Sequence, residues 1–278
     1  MSLTAAPPAA AAAPVPGSTP FADALHAEWT KLRTLAGAGW LLLAAVAVTI
    51  AVSAAADAAS GCSPAGCQAD PVKLSLTGVQ VGQAIVAIIG VLAISGEYST
   101  GMIAVTLTAT PRRLTVLGAK AALVGGLTLA AGAIAVLGSV LAGRLILPGR
   151  GFTAARGFPP LSLADGAVLR AAGGSVLYLA LIALLALGVA TAVRDSAVAI
   201  GAALGLLYLV PIVASVVGNQ HWQRHLEQLG PTTAGLMIEA TTQLTDLPLT
   251  PWQGLGVLAA WAAGALVLGG ALLRLRDA

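Results

Sequence analysis

Residues 171–193 read AAGGSVLYLALIALLALGVATAV, twenty-three positions without an Asp, Glu, Lys, Arg or His. A helix of that length crosses a hydrocarbon core about 30 Å thick. The run ends at Arg194-Asp195, and a second uncharged run, about Ser196 to Val217, begins at once. Two apolar runs joined by so short a polar turn read as consecutive membrane spans. The composition generalises the reading: 58% of the 278 residues are hydrophobic and 9% are charged, which excludes a water-soluble fold because such a chain cannot hide that much apolar surface.

Working outward, four further runs complete an all-α, polytopic bundle of six transmembrane helices. They are about Trp40 to Ala56, Leu74 to Ser95, Leu117 to Ala142 and Gly254 to Leu273, in addition to Ala171 to Val193 and Ser196 to Val217. Trp40 falls where an amphipathic indole favours the membrane interface. Pro211 removes one helix hydrogen bond and predicts a kink near the outer end of the fifth span. Gly78 with Gly82, and Gly201 with Gly205, read as packing notches for neighbouring helices.

Ahead of the spans, Met1 to Pro16 is rich in Ala and Pro, with no basic residue before an apolar run, so no cleavable signal peptide is expected. Residues 1–18 read as a disordered cytoplasmic tail and 19–278 as one transmembrane domain. Thr19-Pro20 reads as a helix start. Phe21, Leu25, Trp29, Leu32 and Ala36 then recur at helical spacing, with Asp23, Lys31 and Thr34 on other faces and Glu28 flanking the stripe, which predicts an amphipathic helix lying on the membrane.

The formal charge of +3 is too small and scattered for a nucleic-acid surface. With both termini inside, Lys31, Arg33, Arg112, Arg113, Lys120, Arg194, Arg274 and Arg276 are cytoplasmic and the other six of the fourteen cations are outside, a modest bias in the expected sense. The expected location is the plasma membrane, multi-pass, with cytoplasmic termini.

No Gly-x-x-x-x-Gly-Lys-Ser/Thr loop is present, so the chain is not expected to hydrolyse ATP or to act as an enzyme by itself. The spans are read as lacking the buried Asp, Glu or Lys that mark an ion path, which argues against a secondary transporter. The most informative polar stretch is Gly96-Glu97-Tyr98-Ser99-Thr100-Gly101-Met102-Ile103-Ala104-Val105-Thr106-Leu107-Thr108-Ala109-Thr110-Pro111-Arg112-Arg113. Ser99 or Thr100 can cap a short helix whose Met102, Ile103, Val105 and Leu107 offer apolar contact, and Thr110-Pro111 stops it. From the residues alone this is either an interfacial loop obeying the positive-inside rule or a docking helix.

Glu28-Trp29-Thr30-Lys31-Leu32-Arg33-Thr34 before the first span, together with Gly96 to Ile103 after the second, resembles the ATP-binding cassette type-2 permeases of actinobacteria, over about Phe21 to the end. The resemblance implies an export permease that forms its substrate path as a dimer, with a second copy or a paralogue, on separate ATPase subunits that hold ATP and Mg. No cofactor is expected on this chain. By the same resemblance Glu28, Trp29, Lys31, Leu32 and Arg33 belong to a cytoplasmic elbow helix. Glu97 is a polar contact at the membrane edge, and Ser99 to Leu107 form the coupling helix, Tyr98 and Gly101 included in the ATPase interface. The alternative function is a non-transporting membrane enzyme or an immunity or resistance protein.

Cys62 and Cys67 lie in the first outer loop, where a disulfide is permitted. Gln80 and Gln83 in the second span either line a path or hydrogen-bond to neighbouring helices. His221 and His225 share a helix face, but Trp222-Gln223-Arg224 between them lacks the glutamate of a catalytic zinc motif, so solvated histidines on an amphipathic outer helix and no metal site are expected. Glu227 and Glu239 are read as part of a solvated outer face, with an outer gate or substrate contact as the other use.

Overall fold

A computed structural model describes residues 20–34, 36–62, 69–99 and 113–275. The described residues are helical with no strand, and six of the helices are long and apolar enough to cross a membrane, so the chain is a multi-pass membrane protein. In order they are α1 (Pro20–Thr34), α2 (Ala36–Ala59), α3 (Pro71–Ser75), α4 (Val79–Ser99), α5 (Arg113–Ile146), α6 (Gly166–Val193), α7 (Ser196–Val216), α8 (Gln220–Leu229), α9 (Pro231–Gly235) and α10 (Pro251–Leu275). The spans are α2, α4, α5, α6, α7 and α10.

Residues 171–193, within α6, form the axis of the bundle. Helix α6 packs on α10, α4, α5 and α7, and 61% of its most apolar window is buried, against 17% for α2 and 22% for α7, which face outward. Lipid offers no hydrophobic drive between helices, so close approach depends on small residues. A Cβ at Gly90 would stand 2.3 Å from the Ala183 carbonyl oxygen, and one at Gly188 would stand 2.5 Å from the Ala265 backbone, so α6 meets α4 and α10 backbone to backbone.

Gly78 and Gly82 act as the expected notch. A Cβ at either would fall within 1.9 Å and 2.1 Å, respectively, of oxygen atoms of Thr49 on α2. Gly201 and Gly205 do not: a Cβ at Gly201 meets nothing within 4 Å, and one at Gly205 meets only Leu209 of its own helix. Gly201 is exposed and Gly205 is half-buried. Helix α7 continues through Pro211.

The turn between α6 and α7 is two residues long for a local reason. Arg194 adopts φ 66°, a left-handed conformation that ends α6 and lets its N–H reach the Ala190 carbonyl, and the Asp195 carboxylate then accepts from Val198 N at 2.8 Å to start α7.

Element boundaries depart from expectation at three charged or capping positions. The first span does not end at Ala56: α2 runs on to Ala59 and buries Asp57 completely, with Ser75 Oγ donating to its Oδ1 at 3.1 Å. The run from Leu74 is not one helix: Asp70 and Pro71 start the short α3, and a turn at 76–78 separates it from α4. At its other end α4 does not stop at Ser95 but carries Glu97 and Tyr98 within the helix.

At the end of the bundle away from α1, residues 230–240 of the connection from α7 to α10 pack into the bundle, while much of α8 and residues 242–246 are exposed. Pro231, Thr232, Ala234, Gly235, Met237, Ile238, Glu239 and Ala240 are buried, against α6, α7 and α10. Asp70 latches this connection to α3, accepting from Thr241 N at 2.6 Å, Thr241 Oγ1 at 2.7 Å and Thr242 N at 3.0 Å while also capping Val72 N. Burial alone would raise its pKa, but these donors, Thr241 foremost, hold the carboxyl below its usual value.

Candidate functional site

Helix α1 is present, but the face it turns inward is not the apolar stripe. Ala24 and Glu28 are buried and Lys31 is half-buried, whereas Phe21 and Trp29 are 44% and 42% exposed. Positions 24, 28 and 31 share one helix face, and that face packs on the start of α5. Glu28 and Lys31 thus point where a purely hydrophobic reading would put Leu and Trp, because α5 supplies a counter-charge there.

That counter-charge is Lys120, 3% exposed within a span. Its ammonium donates to Glu28 Oε2 at 2.5 Å, to Glu97 Oε1 at 2.7 Å and to the Ala93 carbonyl at 3.2 Å, which uses all three of its N–H groups. Lys31 Nζ closes a ring by donating to Glu28 Oε1 at 2.9 Å and Glu97 Oε1 at 2.8 Å. The order around the ring is Glu28, Lys31, Glu97, Lys120, with alternating signs and zero net charge. It joins α1, α4 and α5.

Ionised groups taken out of water lose hydration worth several kcal/mol each, and only close opposite partners offset that loss. The ring meets this condition for each of its members. Burial pulls the pKa of Lys31 down, but the hydrogen bonds and charges of Glu97 and Glu28 outweigh it and leave the ammonium above its ordinary value. One atom is left over: Glu97 Oε2 is buried and accepts no hydrogen bond, while Oε1 serves both lysines.

The neighbours of the ring extend the clamp. The Arg194 guanidinium lies over the Tyr98 ring, 5.6 Å from its centroid, in cation–π contact. Arg113, the first residue of α5, donates from its guanidinium to the Leu273 carbonyl in the last turns of α10 at 2.8 Å. Both flanks of residues 100–112 are therefore fixed, one through Glu97 and Tyr98 to α1, α5 and the α6–α7 turn, the other through Arg113 to α10.

Of the residues singled out from sequence, Glu28, Lys31, Glu97 and Tyr98 come together here. Trp29 and Arg33 point away and are exposed. The side chains of Leu32 and Ser99 fall outside the described residues, as do Thr100, Gly101, Met102, Ile103, Val105 and Leu107, and with them the expected coupling helix. Lys120, Arg113 and Arg194 read from sequence only as cytoplasmic cations. The signal that could have found Lys120 was its position as a lone ammonium in an apolar run, and the expectation that the spans hold no buried ionisable group is overturned by it together with Asp57 and Glu97.

Of the two glutamines, only Gln83 bonds to a neighbouring helix through its side chain. Gln83 is buried and its Oε1 accepts from the Tyr178 hydroxyl of α6, while Gln80 is exposed and only its backbone carbonyl accepts, from Tyr208 Oη at 2.7 Å. Cys62 is disulfide-bonded, and Cys67 lies outside the described residues. Glu239, expected on a solvated face, is fully buried: Ser175 Oγ donates to Oε1 at 3.3 Å, and Oε2 has no partner. Burial pushes its carboxyl up to about 8, against smaller downward pulls from Ser175 and Lys73. Among the described residues no group of three or more His, Cys, Asp or Glu could hold a metal ion.

Fold and site together define a polytopic helical membrane protein with a charge-neutral buried ring at one end of its bundle. No protein-family model matches the chain, and no curated protein matches it significantly in sequence.

Proposed function

We propose that this chain is the permease subunit of an ATP-binding cassette exporter, forming a substrate path with a second copy or a paralogue and driven by separate ATPase subunits. The observation that carries the reading is the mooring of residues 100–112 at both flanks. A push on a segment tethered loosely is lost in local bending. A push on this segment passes through Glu97 to α1 and α5, through Tyr98 to the α6–α7 turn, and through Arg113 to α10, so rigid helices can tilt together. The chain contributes leverage and no catalytic group.

In this reading residues 100–112 and both termini are cytoplasmic, the membrane is the plasma membrane, and α1 is the elbow helix. Glu97 transmits force from the coupling helix into the ring, and Met102 and Ile103 sit on the ATPase.

The test is isolation from native membranes with identification of bound nucleotide-hydrolysing subunits. Co-purification is expected with the native chain and is lost for Met102→Glu or Ile103→Glu. Glu97→Gln is expected to keep the partner and the inserted bundle but to weaken substrate-stimulated ATP hydrolysis and export. A chain that never carries an ATPase partner, or one that exports normally with Glu97→Gln, refutes the assignment.

A further inference from the structure

Helix α8 is ten residues long, shorter than the roughly 12–15 at which an isolated helix becomes stable in water. It is held at its start by Asn219, whose side chain accepts from His221 N at 2.9 Å, and at its end by Trp261 Nε1, which donates to the Leu229 carbonyl at 2.9 Å. Its exposed side carries His221 and His225, one turn apart, with ring centroids 4.4 Å apart and ring planes at 86°. Their Nε2 atoms stand 3.1 Å apart.

That separation is the one that two imidazoles need to bind the same ion. Two nitrogens each about 2.05 Å from a metal and 3.1 Å from one another subtend about 98°, between the octahedral and tetrahedral angles. We propose that His221 and His225 form a bidentate site for a borderline transition-metal dication, of the Zn2+, Ni2+ or Cu2+ type, with water in the remaining positions. Imidazole is the ligand these ions favour over carboxylate or carbonyl oxygen. The nearest acid on the helix, Glu227, accepts from Gln223 Nε2 at 3.1 Å, so the site is a two-histidine chelate and not a hydrolytic centre.

The competing use of the same approach is a single N–H···N hydrogen bond. In water such a bond adds only about 0.5–1.5 kcal/mol, and it requires one Nε2 to carry a proton, whereas ligation requires both to be bare. A metal bound across one turn staples α8, because an ion that binds the helical arrangement and not the open chain shifts the equilibrium toward the helix. Absence of the third ligand and of a glutamate base, which removes the catalytic zinc reading, leaves this structural one intact.

The experiment uses the full chain in detergent, purified through a tag without histidine and stripped of metal, titrated calorimetrically with Ni2+, Zn2+ and Cu2+ near pH 7.5. One equivalent is expected to bind and to raise the unfolding temperature. His221→Ala and His225→Ala should each abolish both the binding and the thermal shift. His26→Ala, on α1, should abolish neither. The two variant side chains are exposed, so their metal-free unfolding temperature should match that of the native chain and shows that the fold is kept. Uptake that survives in either variant, or no uptake by the native chain, overturns the proposal.

Discussion

Glu239→Gln tests what the buried end of the α7–α10 connection requires. The native carboxyl is fully buried, has one weak donor in Ser175 Oγ at 3.3 Å, and titrates at about 8 in place of its ordinary 4.5. The folded state therefore binds a proton that the opened state releases between those two values. A raised acid pKa makes the folded state lose stability as pH rises from 4.5 to about 8, and the full swing is 8 − 4.5 = 3.5 pH units, or about 5 kcal/mol at most. Asp70 and Lys73 are the charged neighbours acting on it, in opposite directions. Glutamine keeps the shape and cannot ionise. The expected result is that native and variant chains unfold at similar temperatures near pH 5, diverge up to about pH 8 and stay apart above it, with the variant the more stable. Hydrogen exchange in 231–240 should show the same divergence locally. Parallel pH profiles for the two proteins would refute the reasoning, because they would mean that Glu239 is ionised or solvated in the folded chain.

Three other outcomes follow from the packing. Lys120→Met leaves Glu28 and Glu97 with Lys31 alone and should cost about 3–5 kcal/mol, whereas Lys120→Met with Glu97→Gln removes one charge of each sign and should recover much of that loss in a double-mutant cycle. Gly82→Leu should lower the unfolding temperature sharply, since even a Cβ falls 2.1 Å from Thr49 Oγ1, while Gly201→Leu, with nothing within 4 Å, should change stability by no more than about 0.5 kcal/mol. Asp70→Ala unlatches Thr241 and Thr242 and should raise proteolysis in 241–250; the native latch, with its depressed carboxyl pKa, should hold above the ordinary value of 3.8 and loosen as pH falls below it.

Helix count and order were legible because a bilayer-spanning helix must be long and uncharged, a property of contiguous residues. Asp57 and Glu97 were misplaced because a charge in sequence looks like the end of a span, and what keeps each inside is a partner distant in the chain: Ser75 for the first, Lys31 and Lys120 for the second. Glu28 reads from sequence as merely flanking the stripe, for a similar reason. Its neighbours Leu25 and Trp29 advertise a hydrophobic stripe, but the orientation of α1 is decided by an ammonium 92 residues away. The break between α3 and α4 was hidden for the opposite reason. Asp70-Pro71 is a cap and start signal, but apolar residues continue through the turn behind it and mask the break.

The ring also bears on how the chain enters the membrane during synthesis. Glu97 ends one span and Lys120 begins the next, 23 residues apart, so the α4–α5 hairpin can be inserted as a neutral pair. A lone lysine at the centre of a span costs about 2.5–3.5 kcal/mol on insertion scales, and less toward its ends. Glu28 has by then already emerged from the ribosome, ahead of the first span. An early-made carboxylate waiting for a later-made ammonium gives α1 a reason to dock only once the α4–α5 hairpin exists, where it lays a second neutral pair, Glu28 with Lys31, against the first.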